Sequence, residues 1–247
     1  MTSHMYQYMH PYGDPCTING KDSLTTFSAT LKELIPSAGN ITGNVSRAMS
    51  ASHLRSSGFG IQPGKLQLVF YVYGSSAQSC AFNTSNLIAE CEQCIISTPT
   101  DGFEYAAVLT GMAVKPTGVD FYNQVDLTLT AIKRLPLRSF EVDFTKGGTY
   151  FPFENPGSVD SGMRLILTSA ADIPDFQIND IHIDKMTSQD KFIIDGIEGT
   201  VTCNGTNSFL RTDLIEFPKA HRGVNQLYLP VTESVSLRVE FYPVFNI

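Results

Sequence analysis

The sequence predicts a mainly β fold in two domains. The first, residues 1–143, is an N-terminal β-sandwich-like domain with one α-helix, and the second, residues 144–247, is a C-terminal β-sandwich. Three observations carry this reading. Apolar and polar residues alternate with period two through most of the chain, which puts every second side chain on one face of a strand. Clusters of Gly, Pro, Asn and Asp separate the alternating runs at short intervals. A single segment follows the 3.6-residue period throughout its length.

Taken in order, the chain opens with MTSHMYQYMHPYGDP. It lacks a basic start followed by an apolar core, so no signal peptide is expected there. It reads as an arm or an edge strand. The Asn19-Gly20 pair marks an early turn. In LTTFSATLKELI, residues 24–35, the positions Leu24, Phe27, Leu31 and Ile35 fit a helix, but the stretch fits a strand equally well, and both remain open. Residues 35–64 are rich in Ser, Gly and Asn and predict a long exposed loop.

The clearest strand is KLQLVFYVY, where Leu66, Leu68, Phe70 and Val72 share one face. In SNLIAECEQCIIS the helical period runs through Leu87, Ile88, Cys91, Cys94 and Ile95, with Ser85 as the expected N-cap. FEYAAVL (103–109) follows, and then QVDLTLTAI, with Val125, Leu127, Leu129 and Ala131 on one side. Pro136, the Gly147-Gly148 pair, Pro152 and Pro156 punctuate the expected boundary near 143–150. Beyond it lie short strand candidates: GMRLILT (162–168), FQINDIHI (176–183), KFIID (191–195) and GTVTC (199–203). The last is VSLRVEF, with Val235, Leu237, Val239 and Phe241 facing inward.

Composition narrows function. The net charge is −7 and Lys and Arg are not clustered, which argues against binding a phosphate backbone, so no nucleic acid is expected. No apolar run nears the roughly 18 residues of a membrane span, so no membrane is expected as a partner. The five cysteines (Cys16, Cys80, Cys91, Cys94 and Cys203) are odd in number and fit a reduced protein made in a cytoplasm. The Asn-x-Ser/Thr sequons at Asn40, Asn44, Asn83 and Asn204 carry no weight without secretion.

No pattern points to an enzyme. Cys91-x-x-Cys94 lacks a second ligand pair for zinc and lies on the apolar stripe, so two core thiols are expected. His182 and Asp184 share one side of a strand, which fits a solvated face as well as an acid/base pair. Asp195 and Glu198 flank Gly196 and fit a hairpin turn. The five histidines (His4, His10, His53, His182, His221) are scattered, and no nucleophile elbow or phosphate loop is present. No cofactor and no metal are expected.

Specific turn motifs carry a resemblance. FENPGSVDSGMRLILT is followed by the Asp195-Gly196 hairpin in FIIDGIEGTVTCNGTN. Then comes IEFPKAHRGVNQLYL, with Phe217-Pro218 and Gly223-Val224-Asn225, and the terminal strand ends in Tyr242-Pro243. In this order they resemble the C-terminal domain of siphophage distal tail proteins, the Dit family. Asn19-Gly20, GKLQLVFYVYGSS, the helix and DGFEYAAVLTGMAV are similar to the family's N-terminal half. The resemblance implies a galectin-like C-terminal β-sandwich and a homo-hexameric ring formed by the N-terminal domain. It implies a virion protein at the phage tail tip that joins the tail tube protein to the tail-associated protein and anchors receptor-binding protein. The chain is too short to hold an inserted carbohydrate-binding module. The named turn residues (Asn19, Gly20, Asp195, Gly196, Phe217, Pro218, Gly223 and Asn225) are expected to be architectural. Pro218 is expected to stop a strand, because it has no N–H to give.

Two rival classes remain. A lectin-like carbohydrate-binding module needs an aromatic platform, and the chain has no Trp. A hydrolase needs a nucleophile that no motif supplies. The expectation is a scaffold whose outward domain docks proteins and does not bind glycans in the galectin manner.

Overall fold

A computed structural model describes residues 14–38, 41–47, 54–61, 63–99, 101–119, 121–144, 149–230 and 235–246. The stretch 1–13, with His4 and His10, lies outside the described residues, as do His53 and the Gly147-Gly148 pair. The protein is mainly β, with two α-helices among the described residues. It divides into two compact units, one running to Arg134 and the other spanning Leu135–Phe245. The division lies N-terminal to the 143/144 position indicated by the Pro and Gly punctuation.

The N-terminal unit holds β1 (Thr17–Ile18), β2 (Lys21–Asp22), helix α1 (Ser23–Phe27), β3 (Ala29–Ser37), β4 (Ile41–Arg47), β5 (Leu54–Ile61) and β6 (Gly64–Tyr73). Helix α2 (Ala77–Glu90), β7 (Gln93–Ser97), β8 (Glu104–Pro116) and β9 (Tyr122–Arg134) complete it. One antiparallel sheet runs in the order β2-β1-β7-β8-β9-β6-β3. Its spine is the pairing of β6 with β9, in register from Gly64↔Ala131 to Tyr73↔Tyr122. That register puts the stripes Leu66–Leu68–Phe70–Val72 and Val125–Leu127–Leu129–Ala131 on the same face, and all eight residues are buried. Helix α2 lies against β6 and buries Cys80, Thr84 and Leu87.

Several expectations need correction here. The N-cap of α2 is Ser76, whose hydroxyl accepts from Ser79 N–H at 3.1 Å, while Ser85 is an exposed interior residue. The first two turns, AQSCAFN, carry little apolar periodicity, which hid them. The helix closes at Cys91, so Cys94 and Ile95 belong to β7, where alternation buries Cys94 and Ile96 and leaves Ile95 exposed. The open stretch 24–35 is both things in turn: α1 is capped by Asp22, which accepts from Thr25 N–H at 2.8 Å, and Ser28 at φ 49° ends it before β3 begins. Residues 35–64 are not a plain loop, since β4 and β5 pair antiparallel within them. A backbone ladder does not require the apolar stripe that the sequence reading looked for.

The second unit holds β10 (Arg138–Phe144), β11 (Thr149–Asn155), β12 (Ser161–Ser169), β13 (Phe176–Ile178), β14 (Ile181–Ile183), β15 (Lys191–Asp195) and β16 (Thr200–Cys203). It continues with β17 (Thr206–Asn207), a 3₁₀ turn (Phe209–Arg211), β18 (Lys219–Ala220), β19 (Gly223–Leu229) and β20 (Val235–Phe241). The main sheet has the order β10-β20-β12-β15-β16-β17, and β18 adds to β12. β11 and β19 form a separate ribbon, and β13 and β14 a hairpin. FQINDIHI is therefore two strands, broken at Asn179, which takes φ 50°. One apolar core, including Leu165, Leu167, Phe192, Leu227, Leu237 and Phe241, lies under these elements.

A polar row crosses the outer side of the main sheet. Arg164 on β12 stands opposite Asp195 on β15 and Glu240 on β20. Its Nε reaches Asp195 at 2.6 Å, its Nη1 reaches Glu240 at 3.2 Å, and Arg238 Nε holds the other Glu240 oxygen at 2.8 Å. Alternation alone would leave Glu240 in water, but it is 5% exposed. Removing the Arg164 cation leaves Asp195 without its cation and Glu240 with Arg238 alone, both with little solvent. The Arg164→Met variant is expected to lose about 3 kcal/mol of stability, as read by urea denaturation, with Arg164→Lys recovering part of it.

Candidate functional site

The catalytic candidates resolve into structural roles. Among the described residues no group of three His, Cys, Asp or Glu side chains is placed to hold a metal ion. All five cysteines are free and buried. Cys94 Sγ–H donates to the Cys91 carbonyl at 3.6 Å. A side-chain hydrogen bond between the two thiols and the burial of the pair push the Cys91 thiol well up, and burial pushes Cys16 up to about 11. His182 pairs with Asp175 and lies 4.0 Å from Asp184, and its backbone N–H donates to Asp213 at 2.6 Å. This ties loops to the solvent-facing side of the β13–β14 hairpin, whose other side is buried. Among the described residues no helix is long and apolar enough to cross a membrane.

The named turn residues are distributed over both units and do not form one site, although Gly196 touches Pro218, and Phe217, Pro218 and Asn225 line one cavity. Asn19 and Gly20 take φ 51° and 77° between β1 and β2. The Asn19 amide donates to Glu90 Oε1 at 2.9 Å and accepts from Ile95 N–H at 2.8 Å, so the turn clasps the end of α2 onto β7. Asp195 ends β15 and accepts from the N–H groups of Ile197 and Glu198 at 2.9 and 3.1 Å.

Gly196 is required by contact. A Cβ there would lie 2.3 Å from the Pro218 carbonyl oxygen, and one on Gly162 would lie 2.2 Å from the Gly196 oxygen. Three backbones therefore touch without side chains between them. Pro218 is buried and its carbonyl accepts from Met163 N–H at 2.9 Å. It precedes β18 and does not end a strand, because Leu214–Phe217 has no ladder to interrupt. Phe217 packs half-buried on the core. Gly223 opens β19 at φ 86°, a left-handed conformation that glycine adopts without cost. Asn225 accepts from His221 N–H at 2.8 Å and donates to the His221 and Gly223 carbonyls at 2.6 and 2.9 Å. Asp160 receives Arg222 N–H and the His221 ring, both at 2.8 Å. The Arg222 N–H first, and then His221, hold its carboxyl below the usual range. That anchor is complete at neutral pH and is lost as pH falls through the depressed value.

Two surfaces stand out as places for partners. In the second unit a cavity of about 360 Å³ opens between β19 and the 216–219 loop, with Met163, Leu165 and Ile178 at its base. In the N-terminal unit β7 covers β8 only from Glu104 to Val108, and the last contact on that side is Leu109 N–H to the Glu92 carbonyl at 3.0 Å. Beyond a bulge at Leu109/Gly111, the half-strand 110–116 has no strand on that edge among the described residues. It carries Met112 at 62% and Val114 at 44% exposure. Sequence reasoning ran past both features, although Pro152 inside the alternating TYFPFEN was a signal of an edge.

With this geometry in hand, the chain can be set beside known proteins. No family model matches the sequence, and no curated protein matches it. Solved structures do. The crystal structure of the SPP1 Dit protein (gp 19.1), described as a paradigm of the hub adsorption apparatus in phages infecting Gram-positive hosts, superposes with TM-score 0.67 at 12% identity, covering 94% of this chain and 98% of that one. The chain has the Dit fold. A chain of the phage P2 baseplate in its activated conformation with calcium gives TM-score 0.51 at 9% identity over 92% of this chain and 97% of that one. The strontium form gives 0.52 at 8% identity with the same coverage. The Dit fold agrees with the resemblance carried by the turn motifs, and it spans both units.

Two measurements test the local readings. Gly196→Ala is expected to cost about 1–3 kcal/mol in thermal or urea unfolding, because the added methyl meets backbone that must move. In the native protein, alkylation of Cys91 and Cys94 by iodoacetamide is expected to be slow, reaching the rate of a free thiol only when the chain is unfolded. Fast labelling at either residue contradicts the burial.

Proposed function

We propose that this protein is a structural hub of a phage tail tip, present in the virion and made in the host cytoplasm. In this reading it forms a homo-hexameric ring through its N-terminal unit, joins the tail tube protein to the tail-associated protein, and anchors receptor-binding protein with its second unit. It acts by assembly and carries out no chemistry. The observation that carries the reading is the Dit fold over 94% of the chain. The uncovered half of β8 supports it physically. A strand edge with open N–H and C=O groups and exposed Met112 and Val114 is a liability in a monomer and an asset at an interface. A ring joins copies head to tail, so each copy needs two different surfaces. The N-terminal unit offers the β8 half-edge and, at the far end of its sheet, β3 with Ile35 exposed.

A lectin-like reading draws on one observation. Tyr150 and Tyr228 are exposed and stacked on the outer face of the β11–β19 ribbon, with ring centroids 4.6 Å apart. They spend a face of each ring on one another, which favours the hub over the lectin.

Native mass spectrometry of the purified chain is expected to show a ring-sized oligomer. A truncated chain ending at Arg134 should keep the association, and Met112→Glu combined with Val114→Lys should reduce it to monomer. Association that follows residues 135–247 instead overturns the assignment of the ring to the N-terminal unit.

A further inference from the structure

The β11–β19 ribbon and the β13–β14 hairpin lie side by side in the second unit, and Asn179 hydrogen-bonds to Tyr228 where they meet. Asn179 N–H donates to the Tyr228 carbonyl at 2.8 Å, and Tyr228 N–H donates to Asn179 Oδ1 at 2.7 Å. Both main-chain groups of Tyr228 therefore point away from β11. Alternation along an antiparallel strand gives the same direction to the N–H and C=O groups of Gln226 and Val224. Pro152 stands opposite Gln226, and a residue without N–H fits only a pair that makes no ladder bonds. Two independent observations thus fix which way these groups face.

They face the cavity. Val224 and Gln226 line it from one side, Asn179–Asp180 and Glu216–Pro218 from the other, over the apolar base. Among the described residues no strand pairs with this edge of β19 at Val224–Gln226. Val224 is 81% exposed.

We infer that this gap accepts an added β-strand: an extended, basic and apolar segment of a partner protein seats beside Val224–Gln226. The chemistry of the edge selects the occupant, because N–H and C=O groups repeating at strand spacing are matched by another extended backbone. The apolar base takes alternate side chains. Charge selects among such strands. Residues 135–245 hold 15 Asp and Glu against 9 Lys and Arg, so this unit carries −6 of the chain's −7. At the mouth, Lys219 is paired with Glu216 and the His221 ring is held by Asp160, while Asp180 is exposed. A strand with lysines on its outward side meets that field favourably. The inference rests on the hub reading, in which the second unit docks proteins.

The test uses the full chain and the probe peptide acetyl-Lys-Val-Lys-Leu-Lys-Val-Lys-amide. Hydrogen–deuterium exchange resolved to single residues should show Val224 and Gln226 amides exchanging faster than those of Asn225 and Leu227 in the free protein. The peptide should slow Val224 and Gln226 at least about tenfold. The same peptide with every backbone amide N-methylated has no N–H to give on either edge, cannot pair as a strand and should protect neither. A version with Glu for Lys should bind more weakly, by about tenfold or more at low salt. Gln226→Pro removes an outward N–H that the β11 ladder does not use, so it should abolish protection at Val224. If that variant fails to fold, the N-methylated peptide still decides the question. Equal binding of the N-methylated or the Glu peptide, or binding without protection at Val224 and Gln226, overturns the inference. Native mass spectrometry on the same samples separates the two readings. A silent peptide with the oligomer intact overturns the strand gap alone, and absence of the oligomer overturns the hub.

Discussion

Every backbone N–H and C=O in this β-rich chain must find a partner or face water, and that requirement organises the molecule. The ten-residue pairing of β6 with β9 meets it without a break in register. From that pairing the rest of the N-terminal unit follows. The register aligns two apolar stripes, the stripes give α2 a surface to cover, and the Asn19 turn then clasps the end of α2 onto β7. Among the described residues, β8 beyond Leu109 and β19 around Gln226 have no strand on one edge, so there the same groups face water.

The second unit meets the same requirement with less regular means. Its main sheet is crossed by the Arg164 row, and its 216–218 loop packs backbone to backbone against Gly196 and Gly162. The two devices serve opposite needs. The ion pairs let charged side chains sit where solvent is scarce, and the glycines let main chain approach main chain with nothing between. Asp195 takes part in both, holding Arg164 with one oxygen and the following turn with the other. The IEFPKAHRGVNQLYL stretch is thus architectural in its hydrogen bonds, and it also lines the open groove from both sides.

Much of the fold was legible because burial imposes period two. β6, β9, β12 and β20 were written plainly in their apolar alternation, and the turns at Asn19, Asp195 and Gly223 in their residue types. What stayed hidden lacked an apolar signature. β4 and β5 are polar strands held by their ladder, and the first turns of α2 carry Ser, Gln and Asn where a stripe was sought. Cys94 and Ile95 matched a helix by coincidence, because a strand that starts just after a helix can continue its spacing for one turn. Glu240 looked like a solvated residue because Arg164, on the neighbouring strand, is distant in sequence, while Arg238 sits two residues before it on β20. The open edges were the least legible of all, since an edge is defined by a neighbour that is missing, and no residue encodes that directly.

The tyrosine pair beside the groove gives the molecule an optical property. The chain has 10 Tyr and no Trp, so its ultraviolet emission is tyrosine emission, undimmed by transfer to indole. Tyr150 and Tyr228 are stacked and in contact with solvent, and the backbone of Tyr228 forms the closed end of the gap beside Gln226. Their coupled rings respond to whatever displaces water from that ribbon. Two of the ten tyrosine emitters thus lie beside this groove, and their part of the emission reports on it without a dye, a tag or a substitution.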